Sequence, residues 1–166
     1  MGVARFVIQK HAASTLHYDF RLEVDGVLRS WAVPKGLSTD PREKRLAVEV
    51  EDHSLGYGDF EGVIGAGSHG AGAVIVWDEG RYRNLEEGRS MEEALASGHV
   101  KFWLEGEKLR GGWTLQRTSD VHKPQWLVIK RRDEMADARR RPVSTQPASV
   151  KTGRTIEEVA AEANAS

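Results

Sequence analysis

Between residues 17 and 24 the chain alternates strictly. Tyr18, Phe20, Leu22 and Val24 fall on one side; His17, Asp19, Arg21 and Glu23 fall on the other. That is the period of a half-buried strand, whose successive side chains point to opposite faces. Similar patterns recur along the chain. Residues 6–9 read as a short first strand. Asp25-Gly26 separates 17–24 from Val27-Leu28-Arg29-Ser30-Trp31-Ala32-Val33, the signature of a two-residue hairpin, and Pro34 stops the second arm. Residues 45–51 alternate again, with Arg45, Ala47, Glu49 and Glu51 on one face and Leu46, Val48 and Val50 on the other, and His53 lies at the strand's end. The apolar run 73–78 predicts a strand covered on both faces. Further short strands are predicted at 81–84, 99–104, 108–110, 113–117 and 125–130.

Helical signals are few. Ser90 and Glu93 form a capping box before 91–97, with Gly98 behind. Residues 133–141 carry acids first and three arginines last, which suits a helix dipole, and Pro142 would end that helix. The Ser-, Thr- and Pro-rich stretch 142–153 reads as a linker, and 155–163 as a short helix, docked or frayed. Eight or nine short strands at hairpin spacing predict a mainly β chain: a compact antiparallel β-barrel of about eight strands, or a sandwich, with one or two short helices. The barrel would span 1–141 and the tail 142–166.

The 166 residues suit one domain with a real core. Seventeen glycines agree with many turns, and the lack of cysteine excludes a disulfide scaffold or a zinc–thiolate site. No apolar run approaches the roughly 20 residues of a membrane span, and the N-terminus has no signal-peptide core. A soluble, cytoplasmic protein is expected. The net charge of −1 means that any nucleic-acid contact must come from a local basic patch.

The polar face of 17–24 is where the chemistry concentrates. His17, Asp19 and Arg21 would stand in a row, roughly 7 Å between next-nearest neighbours. His11 lies just upstream and can fold back over the same face. Such a face is often only the solvated side of a sheet. Two imidazoles and a carboxylate also make a three-ligand metal site with open positions, suited to Mn, Fe, Co or Zn. Arg21, Lys35, Arg45 and His53, with Tyr57 nearby, would supply the charge a bound phosphate needs. The Gly-rich run from Gly65 to Gly72 is not a Walker loop, because no Gly-Lys-Ser/Thr comes after it and a strand comes next. The basic runs 130–132 and 139–141 are candidate contacts to a nucleic-acid backbone, although a helix C-terminus would explain the second equally well.

The landmarks Gln9-Lys10-His11, Leu16-His17-Tyr18-Asp19-Phe20-Arg21-Leu22-Glu23, Ser30-Trp31-Ala32-Val33-Pro34-Lys35-Gly36, Glu51-Asp52-His53, Tyr57, Phe60-Glu61-Gly62, Gly70-Ala71-Gly72 and Val76-Trp77-Asp78 resemble, in this order, the 3'-phosphoesterase domain of bacterial DNA ligase D. The resemblance runs from about residue 6 to 132, and the tail 152–160 is similar to the segment C-terminal to that domain in ligase D chains. It implies a small β-barrel enzyme of non-homologous end joining that heals DNA 3' ends. A phosphodiesterase step, dependent on Mn2+ (Co2+ or Zn2+ as alternatives), would remove a terminal 3'-ribonucleoside. A phosphomonoesterase step would then leave a 3'-hydroxyl. The resemblance assigns His11, His17 and Asp19 to the metal, and Arg21 and His53 to the scissile phosphate. Lys35, Arg45, Gln9 and Tyr57 complete or support the pocket. The implied partners are a primer–template bearing a 3'-ribonucleotide or 3'-phosphate, and the ligase, polymerase and Ku of the pathway. A monomer without membrane contact is expected.

The chain departs from the family pattern in three respects. The run 65–70 lacks the proline, acid and aromatic usual there, so a floppier loop is expected. Only five residues precede Phe6, where many ligase D chains carry an arm with further polar residues; one of the two activities is open to weakening. No polymerase or ligase domain is present, so the chain is a stand-alone enzyme or an excised piece. Two rival functions fit some of the same residues: a non-catalytic module binding DNA ends or a repair partner, and a non-haem iron oxygenase using the two-His, one-carboxylate triad.

Overall fold

A computed structural model describes residues 4–65 and 72–165; the interior of the Gly-rich run, and with it the expected loosened loop, lies outside them. Among the described residues nine strands form: β1 (Ala4–Ala12), β2 (Leu16–Val24), β3 (Val27–Val33), β4 (Arg45–Ser54), β5 (Gly62–Ile64), β6 (Gly72–Asn84), β7 (His99–Gly106), β8 (Arg110–Ser119) and β9 (Gln125–Lys130). Eight of them close an antiparallel ring in the order β1-β2-β3-β4-β9-β8-β7-β6, with β6 pairing back onto β1 and β5 added beside β6. An eight-stranded ring leaves an interior that side chains fill. Phe6, Ile8, Phe20, Trp31, Phe102, Trp113 and Trp126 fill it here, each fully buried. The barrel expected from the alternation is thus what forms.

The hairpin signal at Asp25-Gly26 is realised as a turn with φ of 50° and 83° at the two residues, the left-handed pair that a two-residue hairpin requires. It pairs Val24 with Val27 and, three steps up the strands, Arg21 with Ser30. The helix α1 (Met91–Ser97) has both capping-box hydrogen bonds, and Gly98 closes it at φ 83°. The apolar run 73–78 is covered on both faces, as its composition predicts. The outer cover is α3 (Ile156–Ala165), whose Ile156 and Val159 pack on Ala73 and Ile75.

Several elements differ from the sequence expectation. Residues 81–84 are the end of the 13-residue β6, not a separate strand. Residues 108–110 are mostly a turn, because the Asp78 carboxylate accepts the backbone N–H groups of Glu107, Lys108 and Leu109. In β4 the small Ala47 faces the core, whereas Leu46 is 42% exposed. Residues 133–141 form turns, not a helix. Asp133 commits its carboxylate to Lys130 Nζ and the N–H groups of Gly112 and Met135, while buried Thr39 bonds the carbonyls of Asp137 and Arg140. These tertiary bonds replace helical ones. Pro142 then begins a single helical turn, α2 (Pro142–Thr145), because its missing N–H costs nothing at a first helical position.

The stretch read as a linker lies against the barrel. Trp77 Nε1 and Lys108 Nζ both donate to the Gln146 carbonyl, and the Val150 N–H donates to the Val76 carbonyl. Ser149 is buried and donates to Glu61 at 2.7 Å. Residues 142–153 therefore form a strap across one side of the ring. No helix among the described residues is long and apolar enough to cross a membrane.

Candidate active site

The polar face of β2 points away from the core, and its partners come from strand register. β1 and β2 pair His11 with His17 and Gln9 with Asp19, so these four side chains share one outward face. His11 reaches the site from its own strand across the ladder and does not need to fold back. The ligand atoms of His11, His17 and Asp19 lie within 4.8 Å of one another. His17 Nε2 stands 3.2 Å from Asp19 Oδ1, and His11 Nδ1 stands 3.7 Å from Oδ2. The imidazoles meet edge to face at 5.0 Å.

The donor set suits a divalent cation. His17 Nδ1 lies 3.1 Å from the Thr15 carbonyl, which fixes the proton on Nδ1 of the neutral ring. Its Nε2 lone pair then faces a carboxylate oxygen, an arrangement that needs a positive charge between them. A proton or a metal ion satisfies it. Accordingly the Asp19 hydrogen bond raises the His17 pKa against the opposing effect of burial. Burial would raise the Asp19 pKa, but hydrogen bonds from both imidazoles and the Arg21 charge hold it well below the usual carboxylate range. His11 Nε2 is buried with no hydrogen-bond partner among the described residues.

Arg21 adjoins this cluster, its Nη2 3.5 Å from Asp19 Oδ2. Its side chain is only 3% exposed. The guanidinium is fixed on several sides: Nε donates to Gln9 Oε1 and Nη1 to Ser30 Oγ, both at 2.7 Å, and the Tyr57 ring covers it at 5.1 Å. Gln9 is itself held by the carbonyls of Tyr57 and Phe60.

His53 reaches the same face through a bulge. Ser30 pairs with Val50, but two residues along β3 Leu28 pairs with His53, so β4 carries one extra residue. The inserted residue shifts the alternation and brings His53, not Asp52, to the outward side beside Arg21. His53 Nδ1 lies 3.1 Å from Arg21 Nη1 and also 3.1 Å from the Glu51 carbonyl. A neutral ring satisfies one of these at a time, since arginine only donates and a carbonyl only accepts. Burial, with the Arg21 charge behind it, lowers the His53 pKa. Tyr57 stacks on His53 at 4.6 Å and belongs to a 3-10 helix over Leu55–Asp59.

Lys35 and Arg45 sit apart from this group. They border a neighbouring cavity, and Arg45 ion-pairs with Glu43 at 3.3 Å. Three supporting groups escaped sequence reasoning: Ser30, the Thr15 carbonyl and the Phe60 carbonyl. Ser30 was accessible, because the Asp25-Gly26 hairpin fixes its pairing with Arg21. The two carbonyls carry no side-chain signature.

Two imidazoles and a carboxylate with the geometry of a metal site, a clamped arginine and a further imidazole lie together on the outside of a closed barrel, and known proteins share the sequence that builds this surface. The multifunctional non-homologous end joining protein LigD of Pseudomonas aeruginosa is 52% identical over 93% of this chain. The LigD proteins of Mycobacterium tuberculosis and Mycolicibacterium smegmatis are each 43% identical over 78% of it. The chain spans only 18%, 16% and 17% of those proteins, respectively. The family model of the DNA Ligase D 3'-phosphoesterase domain matches residues 9–117, the interval that contains every one of these site residues, and the chain belongs to that family.

Proposed function

We propose that this chain is a metal-dependent DNA 3'-end-healing phosphoesterase acting in non-homologous end joining. It would remove a 3'-terminal ribonucleoside and then the remaining 3'-phosphate, leaving a 3'-hydroxyl. The observation that carries this reading is the juxtaposition of the His11–His17–Asp19 cluster with the buried Arg21 and the half-buried His53 beside it: a cation site next to an anion site suits a phosphate ester and suits an oxygenase substrate poorly.

His11, His17 and Asp19 would hold the ion, with Mn2+ first in line and Co2+ or Zn2+ as alternatives. The bound ion supplies Lewis-acid polarisation of a phosphate oxygen. The chain's own groups do the rest. Arg21 offers its fork to the scissile phosphate, already oriented by Gln9 and Ser30, so little ordering is left for the moment of reaction. The charge that grows on the phosphoryl oxygens in the transition state is offset there. His53, when protonated, donates to the departing oxygen as the phosphorus–oxygen bond breaks, and water supplies the replacing oxygen. Tyr57 shields both groups from solvent. Lys35 and Arg45 complete the anion-binding surface. The substrate is a primer–template with a 3'-ribonucleotide or 3'-phosphate, and the ligase, polymerase and Ku of the pathway are the proposed partners.

A gel assay tests this. A 5'-labelled primer–template with one 3'-terminal ribonucleotide, and its 3'-phosphate counterpart, are incubated with manganese or with EDTA. Manganese-dependent conversion of both to a 3'-hydroxyl is expected. No cleavage of either by folded, metal-loaded protein would overturn the enzymatic reading in favour of an end-binding module.

A further inference from the structure

The cavity beside Lys35 and Arg45 is strongly basic. Lys35, Arg45, Arg140 and Arg141 border it, with Glu43 as the opposing acid, over a floor of Leu37, Pro142 and Val143. Its volume is about 210 Å3. The whole chain carries a net charge of −1, so this concentration of cations is local. A helix-dipole role for Arg140 and Arg141 does not apply, because residues 133–141 form no helix. Arg140 is anchored by donating to the Lys108 carbonyl. Arg45 Nε is buried and has no hydrogen-bond partner among the described residues. Among the described residues Lys35 and Arg141 have no ion pair. Both are exposed, so they are free to meet an anion from outside.

The cavity also lies next to the catalytic strand. Lys35 is two residues beyond Val33, which pairs with Tyr18, the residue between His17 and Asp19. At Gly36 (φ +74°) an added Cβ would stand 2.8 Å from Val143 and 3.2 Å from the Tyr18 ring, so this turn is pressed between the strap and β2. The cavity thus adjoins the His17 end of β2, the strand that also carries Arg21.

We propose that this cavity is a second phosphate subsite, formed in part by Arg140 and Arg141. It takes a backbone phosphodiester of the DNA strand whose 3' end is being healed. The inference rests on the end-healing reading above, and it adds two residues beyond the interval 9–117 that the family model matches. Two planar guanidinium forks match the oxygens of a phosphodiester, which accept from several directions at once.

The test is equilibrium binding of the full chain to a fluorescent primer–template in EDTA, so that no cleavage occurs, across a range of salt concentrations. Arg141→Gln is the main variant, since that exposed side chain has no hydrogen bond or ion pair among the described residues. The double variant Arg140→Gln/Arg141→Gln extends it. Arg141→Gln should weaken binding about 10-fold and reduce the slope of log Kd against log salt by about 1, the signature of one lost phosphate contact. Arg141→Lys should recover part of the affinity and all of the slope. Arg139→Gln, which removes an adjacent charge outside the cavity, should change neither. A single 3'-phosphorylated nucleotide, too short to reach the cavity, should bind wild type and Arg141→Gln alike. If Arg141→Gln and the double variant match wild type in affinity and slope, the subsite does not exist. If Arg139→Gln loses as much as Arg141→Gln, the effect is general charge and the subsite is again refuted. Failure of wild type to cleave in the gel assay would be a separate result against the end-healing reading, because the binding experiment reads the subsite without turnover.

Discussion

The two halves of the site are held by different means. The half proposed to hold the metal is written into the β1–β2 ladder: His11 faces His17 and Gln9 faces Asp19 because two long strands pair in one register. The phosphate half hangs on irregular structure. His53 depends on a bulge, and Tyr57 and Phe60 depend on a short 3-10 helix and the turn after it. That helix is in turn fastened from outside. Arg5 bonds Asp59 at 2.7 Å and Glu79 at 3.0 Å, Lys151 pairs with Asp59 at 3.4 Å, and Ser149 and Thr152 bond Glu61. The metal half should be stiff and separable from the tail. The phosphate half should respond to changes as far away as the strap.

The largest expected effect is on the ladder half. His17→Ala or Asp19→Ala should cut activity by at least about 100-fold and abolish the thermal stabilisation expected from manganese, with an unchanged far-ultraviolet spectrum. Near-normal activity would remove the triad from the mechanism. Next comes Arg21→Lys, which keeps the charge but loses the fork that reaches Gln9, Ser30 and His53 together. A fall of about 100-fold in kcat, with manganese binding retained, is expected. Loss of both would mean that the halves are not separable.

A smaller effect is expected from the strap. Ser149→Ala removes a buried bond to Glu61, which is worth about 1 kcal/mol, or about 2–4 °C in Tm for a chain of this size. It should lower kcat severalfold while manganese affinity stays put. Equal loss in both would break the comparison. The smallest effect is in the titration of His53. Its pKa is lowered by burial and by Arg21. Between the ordinary value of 6.5 and the lower folded value, the unfolded chain binds the proton more readily. Acidification through that window therefore destabilises the fold, and stability is recovered as pH rises back to 6.5. Proton NMR of the imidazole should show a pKa below 6.5, and Arg21→Gln should move it upward.

The same contrast governs what could be read from the sequence. Period-two alternation and the Asp25-Gly26 turn gave β2, β3 and the outward row of His17, Asp19 and Arg21, because those features depend on neighbours in the chain. The capping box of α1 was legible for the same reason. The helix expected at 133–141 failed because Asp133 and Thr39 make long-range bonds that no local pattern encodes. The strap was hidden likewise: a Ser-, Thr- and Pro-rich segment looks unattached until Trp77 and Lys108 supply donors for its carbonyls. His53 was legible as an anion-binding candidate from its charge and its place at the strand's end, but its contact with Arg21 was not, since a bulge leaves no mark on simple alternation.

The pairing of β1 with β2 bears on how a preparation of this protein can fail. Inward Phe20 and Leu22 alternate with outward Asp19 and Arg21 on the same strand, so a slip of one residue would turn the carboxylate and the guanidinium into the aromatic interior and expose the core. A misaligned barrel would lose stability at once. Folding thus proofreads the site. Molecules that pass as native should carry an aligned triad, and specific activity per folded molecule should be uniform, with inactive material found among the unfolded or aggregated chains.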